Sequence, residues 1–453
     1  MVDITSMLKE TNPDPSLGND YAISEIAKKE WHSFAMYTVE SRAIPNMIDG
    51  LKPVQRFYLY SSIKNSPRDY KKVSAISGVV SDYGYNHGES SAAGAGQLMA
   101  AEWSNNICLV QGRGSFGTRL VQSAAAARYT YTRLHDNFHK YVKDLDLSPE
   151  HDDPEHEPPT FYVPILPLVL VNGIKGIATG FATNILPRDP AGVINACREY
   201  IRTGNIKNKI KIKYPDFTGT VTYDAEQEKY FCNGSYTKQG KTVLTITEIT
   251  YGHDRESYIK VLDKLEDAGD IVGYEDLCDK QGFKFDVKLK QNTSAKWSDT
   301  KIIQKFKLTA PLSENLTVIT PEGNLRKYED ARDLIRDFVD YRNTILQKRI
   351  DLRVAEYTEE ARWLHIKKQF IEAVLDGKIE FKGKNKAAIT KQIFATTSAI
   401  EEDIDRLLRL NIYTLTSEEV KKLKDKIKEC KQSLNFWKKT NTTEQFLTDL
   451  DME

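Results

Sequence analysis

The segment Gly112-Arg113-Gly114-Ser115-Phe116-Gly117 follows the apolar residues 107–110, with glycines spaced as in a loop that lets backbone approach a phosphate. In a βαβ unit such a loop would cradle a pyrophosphate, and Asp136 lies near the place of a ribose-binding acid. The intervening residues supply no second parallel strand, and residues 124–129 read as a helix running into a turn. The glycines are therefore read as a turn that sets backbone near Tyr129, and no dinucleotide site is expected. Basic residues gather around this turn. Arg42, Lys52, Arg56, Lys64, Arg68, Lys71 and Lys72 are opposed only by Asp49 and Asp69, and Arg113, Arg119, Arg128, Arg133 and Lys140 follow. The whole chain balances 64 basic against 64 acidic residues, so this local excess marks one phosphate-binding region on an otherwise neutral protein.

Other chemistries are excluded by what is missing. The eight histidines show no HExxH or HxH spacing, and the five cysteines are far apart with no CxxC pair. A transition-metal centre and a disulfide framework are thus not expected, and reduced cytosolic thiols are. There is no GxxxxGK[ST] loop and no Asp-x-Asp cluster near a Glu of the kind that gathers magnesium. The first ten residues carry Asp3, Lys9 and Glu10 without an apolar segment, so a signal peptide is not expected. No apolar run approaches the ~18 residues of a membrane span.

These residues must be held by a scaffold of 453 residues, of which 40% are hydrophobic and 28% charged. That balance is globular, and the length suits about three domains of ~150 residues. A polar arm over residues 1–18 and a helix over 20–39 are expected first. An acidic, proline-bearing stretch at 144–159 reads as a boundary. Beyond it the pattern is α+β. Phe283, Phe285, Val287 and Leu289 alternate with lysines and Asp286 as in a half-buried strand, residues 243–247 form a second strand, and residues 233–240 look like turn material. The last third is helical. No Gly or Pro interrupts residues 324–376, and Thr416 with Glu419 opens a further helix whose Val420, Leu423, Ile427, Cys430, Leu434 and Trp437 keep three-four spacing. Two long helices around a shorter helical insert at 384–411 predict an antiparallel coiled-coil arm with a globular tip.

Six motifs then stand in order: Arg42-Ala43-Ile44-Pro45, Asp49-Gly50-Leu51-Lys52-Pro53-Val54-Gln55-Arg56, His87-Gly88-Glu89, Gly112-x-Gly114-x-Phe116-Gly117, Ala125-Ala126-Ala127-Arg128-Tyr129 and Val171-Asn172-Gly173-x-x-Gly176-Ile177-x-x-Gly180. Together they resemble the breakage-reunion module of type IIA DNA topoisomerases, the gyrase A family, over nearly the whole chain. The resemblance implies an α+β multidomain fold. It comprises an N-terminal arm and helix (1–40), a winged-helix, CAP-like DNA-gate domain (41–158), an α+β tower domain (159–325), and a long antiparallel coiled-coil arm with a helical C-gate tip (326–453).

It also implies the chemistry. Tyr129 would attack a DNA phosphodiester and form a 5′-phosphotyrosine, a bond that keeps the phosphodiester energy for resealing. Arg128 would pair with the phosphate oxygens. His87 would contact the phosphate or support catalysis; Tyr85 stands where gyrase-type enzymes carry a second histidine. Arg42, Lys52 and Arg56 would hold the DNA backbone, Asn172 would lie beside the bend, and Ile177 would wedge between base pairs. No metal site is expected in this chain. Mg²⁺ and ATP would be bound by partner subunits, and the chain would act in the cytoplasm on double-stranded DNA as a homodimer joined through its C-gate. The alternative is a non-catalytic DNA-bending scaffold on the same fold.

Overall fold

Helices and strands alternate in a computed structural model that describes residues 38–178 and 180–451 and divides into two units, residues 1–340 and 341–453. The expected N-terminal arm and nearly all of the helix expected at 20–39 lie outside the described residues. In the first unit, Pro53 opens helix α1 (Pro53–Asn65). Its ring presets the helical φ and forfeits only an N–H that would have no helical partner. The Lys52 N–H donates to Oε1 of Gln55 at 2.9 Å, which closes the helix start. Strand β1 (Lys71–Lys72), α2 (Val73–Gly78), α3 (Glu89–Met99), β2 (Val110–Arg113) and β3 (Tyr131–Leu134) follow. The strands form an antiparallel sheet in the order β1-β3-β2. Tyr58 of α1 joins the layers. Its ring fills the space where a Cβ on Gly96 of α3 would stand, and its hydroxyl meets Oγ1 of Thr132 in β3 at 2.6 Å.

Residues 124–127 are not helical, contrary to the sequence pattern. Their polar backbone is committed elsewhere. Ala125 N–H donates to Ser115 O, Ser74 N–H donates to Ala127 O, and Gln97 Nε2 donates to Ala125 O at 2.6 Å. These long-range bonds take up the Ala125 and Ala127 carbonyls that a helical ladder would use.

Helices α4 (Asp136–Tyr141) and α5 (Leu168–Asn172) bracket the acidic stretch, and residues 161–171 are buried throughout. A hairpin of β4 (Ile174–Ile177) and β5 (Ala182–Ile185) leads to α6 (Pro190–Thr203). Strands β6 (Thr220–Asp224), β7 (Lys229–Asn233), β8 (Ser235–Gln239) and β9 (Val243–Glu248) precede α7 (Arg255–Asp267), β10 (Ile271–Asp276), β11 (Phe285–Leu289), α8 (Asp299–Lys305) and β12 (Thr309–Leu312). The order is β10-β11-β9-β8 in one sheet and β12-β7-β6 in another. β11 shows the expected alternation of buried and exposed residues. Residues 235–239, expected as turn, form the edge strand β8 paired with β9. Its outer side faces water, so its Tyr, Thr, Lys and Gln carry no apolar alternation to betray a strand. A hairpin of β13 (Leu316–Ile319) and β14 (Leu325–Tyr328) completes the sheets.

Helix α9 (Ala331–Leu375) runs for 45 residues, about 68 Å at 1.5 Å per residue, and continues into the second unit. There α10 (Lys386–Thr396), α11 (Glu401–Leu408), α12 (Ser417–Lys439) and α13 (Thr442–Leu450) follow. Thr416 caps α12 by accepting the Glu419 N–H, as its sequence predicts. Trp363, Ile366, Phe370 and Ile371 of α9 form a core with Ile389, Ile393, Ile404, Leu407, Val420 and Leu423. Among the described residues no helix is long and apolar enough to cross a membrane.

Candidate functional site

Tyr129 ends the turn that feeds β3, and it is 65% exposed. That is unusual for a large aromatic side chain, whose burial would contribute ~2–3 kcal/mol. The turn itself is rigidly held. Tyr129 N–H donates to Ala126 O at 2.8 Å, Val73 N–H donates to Thr130 O at 3.0 Å, and Gln97 Nε2 reaches Thr130 Oγ1 at 3.1 Å. The phenol is therefore presented to solvent by a backbone with little freedom. The Arg128 guanidinium carbon sits 4.7 Å from the centre of the Tyr129 ring. Arg128 has no carboxylate partner among the described residues, so its forked donors are available to an anion near the Tyr129 ring.

His87 lies in the segment before α3, with its ring 5.6 Å from the buried ring of Tyr85 in an edge-on arrangement. Burial lowers the pKa of the imidazole, and the positive charge of Arg42 lowers it further. His87 is thus held towards the neutral form near pH 7, where one ring nitrogen donates and the other accepts. Arg42 is exposed at the end of the turn of helix Val39–Ala43. Lys52 donates from Nζ to the Lys175 carbonyl at 2.8 Å, tying the start of α1 to the β4–β5 hairpin. Partial burial lowers the pKa of this ammonium. The hairpin approaches so closely that a Cβ on Gly176 would collide with the Ala43 carbonyl. Its far end is apolar and open: Ile177 is 76% exposed, and Phe181 stands exposed in the same turn.

Two expected DNA contacts are placed differently. Arg56 is buried, with Nε and Nη2 at 2.8 and 3.1 Å from the Asp49 carboxylate and a further bond to the Leu51 carbonyl. Its fork is spent inside the protein, so it holds the Asp49–Lys52 turn in place of a phosphate. Asn172 likewise turns inward. Its amide exchanges a pair of bonds with the backbone of Ile107, at 2.8 and 2.9 Å, like a rung of a sheet.

Sequence reasoning missed Arg119. Counted there among the basic residues of the phosphate-binding region, it is buried, bonded to Glu248 Oε1 at 3.0 Å, and boxed by Tyr251, Phe217 and Phe283 at 4.5, 5.4 and 5.4 Å. Glu248 also accepts from the N–H and hydroxyl of Thr218. The stretch between the glycine turn and Tyr129 is thereby anchored to the larger sheets. No local signal marks this, because every partner lies at least 98 residues away in the chain. Among the described residues no three His, Cys, Asp or Glu side chains are arranged to hold a metal ion.

This geometry can be set beside known proteins. The A-subunit family model of DNA gyrase/topoisomerase IV matches residues 42–453. The chain is 41% identical to the DNA topoisomerase medium subunit of Enterobacteria phage T4, over 96% of this chain and 99% of that protein. It is 32% identical to DNA topoisomerase 2 of Arabidopsis thaliana, over 82% of this chain, and spans 26% of that longer protein. Its fold is similar to the crystal structure of the Plasmodium falciparum topoisomerase II DNA-binding, cleavage and re-ligation domain, with a TM-score of 0.84, 25% identity, and coverage of 95% of this chain and 63% of that one. With one family model spanning all but the first 41 residues, the chain belongs to the A-subunit family of DNA gyrase and topoisomerase IV.

Proposed function

We propose that this chain is the DNA-cleaving and religating subunit of an ATP-dependent type II DNA topoisomerase. The observation that carries the proposal is the exposed Tyr129–Arg128 pair on a turn tied to α2, to α3 and to the glycine loop. In cleavage, the Tyr129 phenol oxygen attacks a backbone phosphorus. A bond forms between that oxygen and phosphorus, the bond to the 3′ oxygen breaks, and the 3′ end leaves as a hydroxyl. The 5′ end stays on the protein as a phosphotyrosine, and the reverse attack by the 3′ hydroxyl reseals the strand without external energy. Arg128 spreads the charge that builds on the phosphate oxygens. His87, neutral and beside Arg42, supports the same phosphate. Arg42 and Lys52 steady the DNA backbone, while Arg56 and Asn172 lie further in, as braces for the Lys52 turn and for α5.

The scaffold reading follows the same lines. The region 41–158 acts as a winged-helix DNA gate, 159–325 as a tower, and 326–453 as a coiled-coil arm with a C-gate tip through which two copies pair. Two copies give two tyrosines, one for each strand of a duplex. Partner subunits would supply magnesium together with the ATPase. The setting would be the cytoplasm of an infected cell, given the phage origin of the T4 relative. The test is to purify the chain with its ATPase partner, add magnesium and supercoiled DNA, and denature. A covalent protein–DNA adduct with the protein on 5′ ends is expected. Only free DNA from the complete complex would overturn the proposal.

Ile177 is assigned the wedge that kinks the duplex. Its exposure supports this, since an apolar side chain on a hairpin tip has no packing role to lose. Ile177→Ala is expected to leave the melting temperature unchanged and to reduce DNA bending, read by energy transfer between the ends of a bound duplex. Unstacking one base step costs a few kcal/mol, and the wedge offsets it. Bending equal to that of the unaltered protein would remove Ile177 from the role.

A further inference from the structure

Burial alternates along the chain from Tyr129: Thr130, Thr132 and Leu134 are buried, while Tyr129, Tyr131 and Arg133 are not. In β3 this places Tyr131 and Arg133 on one face, with Tyr129 in the turn two residues before Tyr131. Across the sheet, Lys72 of β1 and Arg113 of β2 are the partners of Tyr131, and Gln111 is the partner of Arg133. Neighbouring strands lie ~4.8 Å apart, so the row Lys72–Tyr131–Arg113 spans about 10 Å. Tyr70 lies against both guanidinium groups, 6.0 Å from Arg113 and 5.1 Å from Arg133. Arg133 is further set in direction by Nε donating to Gln111 Oε1 at 2.7 Å and Nη1 donating to the Arg68 carbonyl at 3.2 Å.

The charge of this face is uncompensated. Among the described residues none of Lys72, Arg113 and Arg133 has a carboxylate partner, whereas most other arginines of the first unit do. Mutually repelling cations held on one face, without neutralising acids, are a standing cost in the free protein that a polyanion removes. The aromatic floor of Tyr70 keeps the guanidinium planes ordered, so little rotamer entropy is lost when they bind.

We propose, resting on the cleavage role given above to Tyr129, that the outer face of the β1-β3-β2 sheet is a track for the phosphate backbone of the DNA that continues away from the tyrosine-linked end. Lys72, Arg113 and Arg133 are its phosphate ligands and Tyr70 their support. Once the strand is cut, this track keeps the covalently held end from swinging, so that the 3′ hydroxyl meets it again for resealing. Such contacts read no sequence.

The test is the salt dependence of duplex binding by the full chain, followed by fluorescence anisotropy between about 50 and 200 mM salt. Each phosphate contact contributes about 0.9 to the slope of log K against log salt, so Lys72→Gln, Arg113→Gln and Arg133→Gln together are expected to make it shallower by about 2.7. Arg113→Gln alone removes an exposed side chain and is expected to change the slope by about 0.9 with the fold intact. An unchanged slope in both variants, with the unaltered chain still salt-sensitive, would overturn the track and leave the cleavage role standing. So would an unchanged slope accompanied by loss of the ATPase partner from the complex, which would make this face a protein-docking surface. Salt-independent binding by the unaltered chain would overturn both.

Discussion

Tyr129→Phe is expected to abolish the covalent protein–DNA adduct and to lower strand passage by at least about 10³-fold, as loss of a nucleophile does in other covalent enzymes. The substitution deletes one oxygen and keeps the ring beneath the Arg128 guanidinium, 4.7 Å away. At 65% exposure the hydroxyl has no packing to lose, so stability is expected to change by less than about 0.5 kcal/mol. Duplex binding is expected to persist as well, because the cations that hold phosphate are untouched. Loss of chemistry with retained binding separates a catalytic phenol from a scaffold residue. The measurement is denaturing electrophoresis of end-labelled DNA after incubation with the partner subunits and magnesium. An adduct that survives would move the nucleophile elsewhere, with Tyr131 the first candidate by sequence.

The parts of this fold most legible in the sequence are those whose information is local. The Thr416 cap needs only a hydroxyl three residues before Glu419, and both the cap and the helix are present. The alternation in residues 283–290 needs only one buried face, and β11 has it. Helix α9 follows from a long run without Gly or Pro. The alanine-rich segment before Tyr129 misleads for the opposite reason. Alanine has the best intrinsic helix propensity. Here that preference, a few tenths of a kcal/mol per residue, is overridden by backbone bonds to Ser115, Ser74 and Gln97. None of these partners is adjacent, and a segment cannot announce bonds it will make to distant residues.

The site divides in the same way. An Arg-Tyr pair adjacent in sequence must be adjacent in space, whereas an isoleucine such as Ile177 reads from composition as a core residue, and only the family resemblance set it at an exposed tip. A basic residue in a charge run is harder, because composition fixes its charge and leaves its direction open. Lys72 and Arg113 face outward. Arg56 faces inward because Asp49 waits there, and Arg119 because Glu248 and three aromatic rings do. The charge count over residues 42–72 therefore includes Arg56, whose guanidinium is engaged inside the protein.

The inward-facing Asp49–Arg56 pair leads to the largest stability effect expected in the first unit. The Asp49 side chain is 1% exposed and accepts four hydrogen bonds. Two come from Arg56, one from the Leu51 N–H at 2.9 Å and one from the Tyr162 N–H at 3.0 Å. Asp49→Ala would leave the Arg56 charge buried without its partner and strand two backbone donors. Breaking such a pair costs about 3–5 kcal/mol, a large share of the ~5–15 kcal/mol by which a domain is stable. The loss is expected as a lower unfolding midpoint in urea for the transition that contains α1. The double variant Asp49→Ala/Arg56→Met removes the stranded charge too, so most of the loss should return. If the double variant were as unstable as the single one, the cost would lie in the Leu51 and Tyr162 amides alone. DNA binding supplies a second readout, since Asp49 fixes the turn from which Lys52 reaches the Lys175 carbonyl. Once that turn loosens, the hairpin carrying Ile177 loses its tie to α1, and DNA bending should fall in the single variant at temperatures well below its unfolding. Undiminished bending there would mean that the Lys52 bond holds the hairpin without help from the buried pair.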